Sequence, residues 1–315
     1  MARDPSRRMI LQQLGASAIV TPLAYTLGCS GDDAGSGTRG GTEGTEGTAT
    51  SGATDTTGES SGGLTESSSD SSSGELCGGA AEDWAAGGTA AMTDKDCYPD
   101  PFAAGLAGCA LLCRTTAGPC TAETTVRQDV SEGWPGLPVR LALKIVRAET
   151  CEAVEDAAVE IWHTQRTGVY SGETPAGDFC YVDDPEAVNY LYFRGVQISD
   201  AEGRVDFDTC FPGWYPNRAI HIHFRVYLGG VAYLTSQLFF DDALTQEIFA
   251  SHPDYSEFGQ PDTSNSDDGV VSGVDDLAPY LLEVQRMPDG AMLASKVIAI
   301  RSSADVELCS TSASP

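Results

Sequence analysis

The chain has 315 residues, enough for one large domain or two smaller ones. It carries 18 Lys and Arg against 46 Asp and Glu, a formal net charge of −28 at pH 7, so it has no basic surface for a nucleic-acid backbone, and nucleic acids are excluded as partners. Ten cysteines are more than a reduced cytosolic protein of this size usually carries, which indicates an oxidising compartment and disulfides.

Residues 1–29 have the features of an export signal. The paired arginines Arg7 and Arg8 precede an apolar stretch, residues 15–28, that is too short and too interrupted for a permanent membrane span. This order is typical of a twin-arginine signal, a route that carries folded proteins and is compatible with a metal inserted before export. Gly28 and Cys29 resemble a bacterial lipobox, so acylation of Cys29 and ordinary cleavage or a retained N-terminal anchor stay open. We expect an envelope or extracellular protein, with or without a lipid tether.

Residues 30–76 are almost entirely Gly, Ser, Thr, Asp and Glu, with near-repeats such as GTEGTEGT. Such a segment has too little apolar surface to offset the entropy of ordering its backbone. We predict a disordered, acidic linker, in which Arg39 is the only basic residue.

Residues 77–120 are cysteine-rich and irregular. Phe102–Cys113 is the one helix-like piece, and Cys109 and Cys113 within it, four residues apart, could share a helix face. Disulfides are the favoured interpretation of this segment, and a metal site formed by Cys97, Cys109, Cys113 and Cys120 is the alternative. If Cys29 is acylated, nine cysteines remain and at least one is unpaired within the chain.

Residues 121–310 alternate between apolar and polar residues, or run apolar, over strand lengths separated by Gly, Pro, Asp and Asn. The predicted strands are residues 139–146, 157–164, 204–209, 219–228, 231–240 and 296–301. No long amphipathic helix interrupts them, so we predict an all-β domain, an antiparallel β-sandwich with long loops. Residues 245–279 are predicted to form an irregular surface excursion.

Two of the four histidines lie close together, at His221 and His223. In a strand they project from one face, with Cα atoms roughly 6.5–7 Å apart, so both imidazoles can reach one ion. The proline- and glycine-containing turn before them brings Tyr215 toward the same place. Spacing alone leaves two interpretations open, a metal-binding pair and a hydrogen-bonded pair.

Five sequence blocks occur in an order that resembles the intradiol ring-cleavage dioxygenases, the group of the protocatechuate and catechol 1,2-dioxygenases. They are IWH (161–163), GVYSG (168–172), RGVQ (194–197), FPGWYPNR (211–218) and HIH (221–223). The similarity is greatest to the exported, single-chain members, and it is close over residues 137–240.

The resemblance implies one non-haem Fe(III) ion with four ligands, Tyr170, Tyr215, His221 and His223. It also implies that a catechol-type aromatic displaces Tyr215, which acts as a base, and reacts with O2 to give a muconate-type diacid. Arg218 would stabilise developing negative charge, and Gln237 would lie near the substrate. A second hypothesis is a non-catalytic envelope lipoprotein that binds iron or a catecholate on the same sandwich.

The other two histidines are not predicted as ligands. His163 lies in a different block and is interpreted as a structural residue or as one that supports the metal ligands from behind, and His252 has no support as a ligand. The chain also departs from the family pattern, since residues 121–133 lack a Gly-Pro-Tyr-Tyr-like portion and Cys210 replaces an aliphatic residue. The substrate pocket is therefore expected to differ in shape, which leaves the identity of the catechol open.

Overall fold

The computed structural model describes residues 78–106, 108–181 and 183–311. The predicted export signal and the predicted linker lie outside the described residues, as does Cys77. Among the helices that are described, none combines the length and the apolar character needed to cross a bilayer.

Strands dominate the described part of the chain. They are β1 (Pro138–Arg147), β2 (Ala158–Trp162), β3 (Arg194–Ile198), β4 (Arg204–Cys210), β5 (His221–Leu228), β6 (Val231–Phe239), β7 (Glu283–Arg286) and β8 (Met292–Ile300). The α-helices are α1 (Gly177–Cys180) and α2 (Asp242–Ser251), and short 3-10 helices span Thr89–Ala91, Lys95–Cys97, Pro185–Asn189, Ser256–Phe258 and Ala278–Tyr280.

The strands form two four-stranded sheets, in the orders β4-β1-β8-β7 and β3-β2-β5-β6. This confirms the predicted two-sheet, mostly β architecture. Every pair of neighbours is antiparallel except β1 and β8, which run parallel with Leu141 opposite Ala294. The prediction of a wholly antiparallel sandwich is therefore wrong at this pair. β8 follows β7 through a short hairpin, and its other edge pairs with β1, which lies more than 140 residues earlier in the chain and need not be antiparallel to it.

The core contains side chains from both sheets. Ile222, Phe224 and Val226 of β5 are fully buried and belong to the same hydrophobic cluster as Leu141 and Leu143 of β1. Each such side chain contributes roughly 1.5–3 kcal/mol relative to an exposed one, which fixes the register of β5. Because side chains alternate along a strand, the two histidines of β5 project from the opposite face.

The connection between β6 and β7 differs from its prediction. Residues 242–251 form α2, whose N-terminus is capped by Asp241 accepting from the amides of Ala243 (2.9 Å) and Leu244 (3.2 Å). Ile248 and Phe249 are buried. The prediction of a wholly irregular surface excursion is therefore wrong, because this segment contains a helix and supplies core residues.

The cysteine-rich segment is held by disulfides. They are Cys109–Cys151, Cys113–Cys309 and Cys120–Cys180, and Cys210 is a buried free thiol. The alternative of a metal site made of cysteines is wrong, because three of its four proposed ligands are paired with distant cysteines. The predicted helix over residues 102–113 is also absent from the described backbone, since Leu111 bridges to β8 in extended conformation.

Candidate metal centre

Two loops that carry tyrosines press closely together beside β5. Gly168 adopts a φ of +82°, and a Cβ at this position would lie 2.1 Å from the carbonyl oxygen of Trp214. The amide of Gly213 donates to the carbonyl oxygen of Gln165 at 3.2 Å, which joins the loops a second time. Glycine is therefore required where Tyr170 and Tyr215 are brought together.

The two histidines of β5 turn the same nitrogen toward each other. Nδ1 of His221 lies 2.6 Å from the carbonyl oxygen of Ala219, which can only accept, so Nδ1 carries the proton and Nε2 has a free lone pair. The Nε2 atoms of His221 and His223 are 3.2 Å apart. Trp162 stacks on the ring of His223, with centroids 4.8 Å apart and an interplanar angle of 3°.

The phenolic oxygens of the two tyrosines complete a compact group of four donor atoms. Oη of Tyr170 lies 3.3 Å from Nε2 of His221 and 3.1 Å from Nε2 of His223. Oη of Tyr215 lies 3.3 Å from Nε2 of His221 and 3.5 Å from Oη of Tyr170. The centre of a tetrahedron with such edges lies about 2.0 Å from each corner, the usual length of a metal–nitrogen or metal–oxygen bond.

Burial makes the four groups neutral when no cation is present. Desolvation lowers the pKa of both imidazoles, at His221 and His223, well below 6.5. Desolvation also raises the pKa of Tyr170 well above 10, and it raises the pKa of Tyr215 despite the nearby Arg218 guanidinium. Imidazole lone pairs that face each other in a buried space are the arrangement that a bound cation stabilises, so the donor set fits a metal.

The composition of the donor set is informative. No group of three or more His, Cys, Asp or Glu side chains among the described residues could hold a metal ion. The candidate centre instead combines two imidazoles with two phenols. Hard anionic oxygen donors such as phenolate favour ions of high charge, and imidazole suits iron.

Arg218 links the candidate centre, through Tyr215, to two further side chains. Its Nη1 donates to Oη of Tyr215 at 3.2 Å, and its Nη2 donates to Oε1 of Gln237. Its Nε donates to Oδ2 of Asp268 at 2.9 Å. Gln237 is fixed in turn, because its Nε2 donates to the carbonyl oxygen of Thr116 at 2.8 Å. Of the two residues predicted to act beside the metal, Arg218 therefore contacts Tyr215 directly, and Gln237 is linked to Tyr215 through Arg218.

Solved structures share this fold. An intradiol ring-cleavage dioxygenase from Tetranychus urticae is 27% identical, with a TM-score of 0.54, over 61% of this chain and 95% of that chain. The chain is therefore similar to intradiol ring-cleavage dioxygenases in sequence and fold. A second solved dioxygenase is also 27% identical, with a TM-score of 0.52 and the same coverage of both chains.

Sequence comparison gives a match to the same family over a shorter part of the chain. Chlorocatechol 1,2-dioxygenase of Pseudomonas putida is 27% identical over 114 residues, which represent 30% of this chain and 40% of that enzyme. The match therefore spans less than half of the curated relative. No family model matches the chain.

Two segments cover the candidate centre of this intradiol dioxygenase-like protein. Gly118 lies against His223, since a Cβ added to it would be 3.4 Å from Cε1 of that imidazole. On the other side, Phe179 of α1 packs edge-on against Tyr215, with ring centroids 6.0 Å apart. The Cys120–Cys180 disulfide joins the two segments. No sequence pattern predicts that residues 116–120 lie over the site.

The remaining histidines use their nitrogens elsewhere. His163 is fully buried, and its nitrogens bond to the carbonyl oxygen of Thr164 (2.8 Å) and to Oγ1 of Thr209 (2.7 Å). His252 bonds through Nε2 to the carbonyl oxygen of Ala85 at 2.8 Å. Both arrangements agree with a structural role.

Sequence reasoning missed two charged residues beside the site. Arg194 is buried and donates to the carbonyl oxygens of Cys120 (2.7 Å) and Ser171 (2.6 Å), so it connects the covering segment to the loop of Tyr170. Its place in the RGVQ block was the available signal. Asp268 had no such signal, because it lies in an acidic stretch with no pattern.

Proposed function

We propose that the chain is a non-haem Fe(III) intradiol dioxygenase that cleaves a catechol-type aromatic ring with O2 to a muconate-type diacid. The observation that carries the proposal is the convergence of four donor atoms, from Tyr170, Tyr215, His221 and His223, with five of their six pairwise distances between 3.1 and 3.5 Å. The similarity to solved intradiol dioxygenases supports it independently.

Bound ferric iron would supply a Lewis acid for the two catechol oxygens and an electron acceptor for the ring. The two tyrosines are unequal in burial. Tyr170 is 2% exposed, and its backbone amide is held by the carbonyl oxygen of Cys180 at 3.0 Å. Tyr215 is only partly buried. Tyr215 is therefore the tyrosine able to move aside for substrate, and Tyr170 the one that stays.

A catechol must lose two protons on binding, and the site offers a base for one of them. Tyr215 would hold the ferric ion as a phenolate, so Oη could take one catechol proton as that side chain withdraws, because burial raises the pKa of Tyr215 and favours the neutral phenol once the side chain is free of the cation. Arg218, whose guanidinium is held by Oε1 of Gln237, provides a donor for negative charge that develops on the substrate. These side chains orient the aromatic diol and receive its proton.

Purified protein loaded with iron tests the proposal. We expect about one iron per chain and a visible tyrosinate-to-iron band that shifts on anaerobic addition of catechol. Admission of air should then consume one O2 per catechol and release a ring-opened diacid, detected by mass spectrometry. Iron and catechol binding without O2 uptake would support the non-catalytic binder, and a colourless protein unable to retain iron would refute both.

A matched pair of variants separates the metal site from general stability. Tyr170→Phe removes a proposed ligand and should lower the iron content to below a tenth of the chains. Tyr192→Phe removes a buried phenol that accepts from Nε2 of Gln165 at 3.0 Å. It should keep iron and colour, and equal iron loss in both variants would contradict the assignment.

We also propose export, with residues 1–29 as the signal and Cys29 as a possible acylation site. The paired arginines and the three disulfides among the described residues support an oxidising destination. Mass spectrometry of the mature N-terminus distinguishes an acylated Cys29 from a cleaved or retained signal. Full-length, unmodified protein confined to the cytosol would refute export.

A further inference from the structure

We propose that Asp268 is a positioning residue that holds the Arg218 guanidinium at the candidate metal centre. This inference rests on the proposed dioxygenase function and adds a residue to it. Asp268 is fully buried, in the connection between α2 and β7, while Arg218 precedes β5. Their side chains form an ion pair with Nε and Oδ2 2.9 Å apart.

The carboxylate of Asp268 is itself fixed in place. Its Oδ2 also accepts from the amide of Ala219 at 2.8 Å, and its Oδ1 accepts from the amide of Val270 at 2.8 Å. Both oxygens therefore have backbone partners in addition to Arg218. A carboxylate held from two sides cannot rotate freely, so it is a rigid anchor for the guanidinium.

The shape of the guanidinium extends this rigidity to the metal centre. Its donors lie in one plane, so fixing Nε on Asp268 and Nη2 on Gln237 also fixes the direction of Nη1. In the structure Nη1 donates to Oη of Tyr215. When Tyr215 withdraws, two of the three contacts of Arg218 remain, so Nη1 still points to the vacated place and can donate to the substrate.

Charge gives a second reason for the pair. Arg218 is largely buried, and an unpaired guanidinium beside the centre would oppose binding of a cation. Asp268 neutralises that charge from the side opposite Tyr215. Buried ion pairs contribute little net stability compared with apolar replacements, so a role in orientation accounts for this one better than a role in stability.

The test compares Asp268→Asn with Asp208→Asn in iron-loaded protein. Asp208 is a suitable control because it is also buried and ion-paired, with Nη1 of Arg140 at 2.8 Å and Nζ of Lys95 at 2.6 Å, but it lies on β4 in the other sheet. Three quantities are measured for each variant: iron content, the anaerobic dissociation constant for catechol from the visible band, and kcat with KM. Arg218→Ala is measured alongside.

We expect Asp268→Asn to keep iron and to reproduce Arg218→Ala, with kcat at least tenfold lower and the same change in catechol dissociation constant. Asp208→Asn should match the wild type. The double variant D268N/R218A should have the same kcat as R218A alone, because the two residues act as one unit. A kcat of D268N within twofold of wild type, or losses that multiply in the double variant, would overturn the proposal.

Two arrangements keep the test decisive. If D268N does not fold, Arg218→Lys replaces it, since lysine keeps the charge but cannot contact Asp268, Tyr215 and Gln237 together. A kcat of R218K like that of R218A supports positioning, and one like wild type overturns it. If wild-type protein binds catechol without consuming O2, the dioxygenase proposal fails, and the role of Asp268 is decided by the catechol dissociation constants alone.

Discussion

Removal of the Cys120–Cys180 disulfide should loosen the cover of the metal centre. This disulfide joins residues 60 apart in sequence, and the loop-closure entropy of such a cross-link corresponds to about 4 kcal/mol. The Cys109–Cys151 disulfide joins residues 42 apart and gives nearly the same value, about 4 kcal/mol. Replacing either pair by alanine should therefore lower Tm by roughly 8–16 °C in a domain of this size.

The two alanine pairs should differ at the metal. Of the four cysteines, Cys120 and Cys180 are the two that are joined to the site by hydrogen bonds. Arg194 donates to the carbonyl oxygen of Cys120, and the backbone amide of Tyr170 donates to the carbonyl oxygen of Cys180. We expect C120A/C180A to lose iron to a competing chelator at least tenfold more readily than wild type, while C109A/C151A retains it. Calorimetry gives the Tm values, and the visible band gives iron retention. Equal iron affinity in the two variants would refute the assignment of residues 116–120 and α1 as the cover.

Three further outcomes are expected. Gly118→Ala (φ +66°) and Gly229→Ala (φ +58°) should each lower the free energy of unfolding by about 1–2 kcal/mol. Only Gly118→Ala should shift the visible band, because its methyl group would lie 3.4 Å from the His223 ring, whereas a methyl group at Gly229 has no atom within 4 Å. Identical bands in the two variants would contradict this expectation. Burial lowers the pKa of His163 from its ordinary 6.5 to about 4. The unfolding free energy of wild type relative to His163→Gln should therefore be greatest above pH 6.5 and fall by about 3 kcal/mol toward pH 4, where the unfolded chain binds the proton more readily. A difference in denaturant unfolding that does not depend on pH would contradict this expectation. Arg218→Ala should keep iron and colour but lower kcat roughly a hundredfold, and loss of iron would count against a role beside the metal.

Most of the sheet could be predicted from local patterns. The alternation in β1 and β5 follows directly from burial on one face, and the observed strands lie within a few residues of the predicted ones, as for Val231–Phe239 against the predicted 231–240. Two strands were missed for physical reasons. β3 contains a glycine and the exposed Ile198, and β7 is a short, mostly polar edge strand, so neither has the apolar signal on which the prediction depends.

The candidate site divides in the same way. The two histidines of β5 share a face because of strand periodicity, which spacing alone predicts, but their meeting with Tyr170 depends on a loop more than 50 residues earlier in the chain. The family resemblance supplied that pairing. Asp268 could not be predicted by either route, because its role comes from one buried contact with Arg218 and its surrounding sequence resembles a solvent-exposed acidic loop.

The position of β8 has a consequence for the order of folding. This strand lies between β1 and β7 in its sheet, yet it is the last of the strands in the described part of the chain. Roughly 145 residues separate the end of β1 from the start of β8. At ordinary translation rates, β8 is therefore synthesised about 7–30 s after β1, the strand beside which it pairs. During that interval the apolar residues of β1 have an open edge, a template for pairing with another chain. We therefore expect a nascent chain of this kind to be prone to aggregation until its final strand is made.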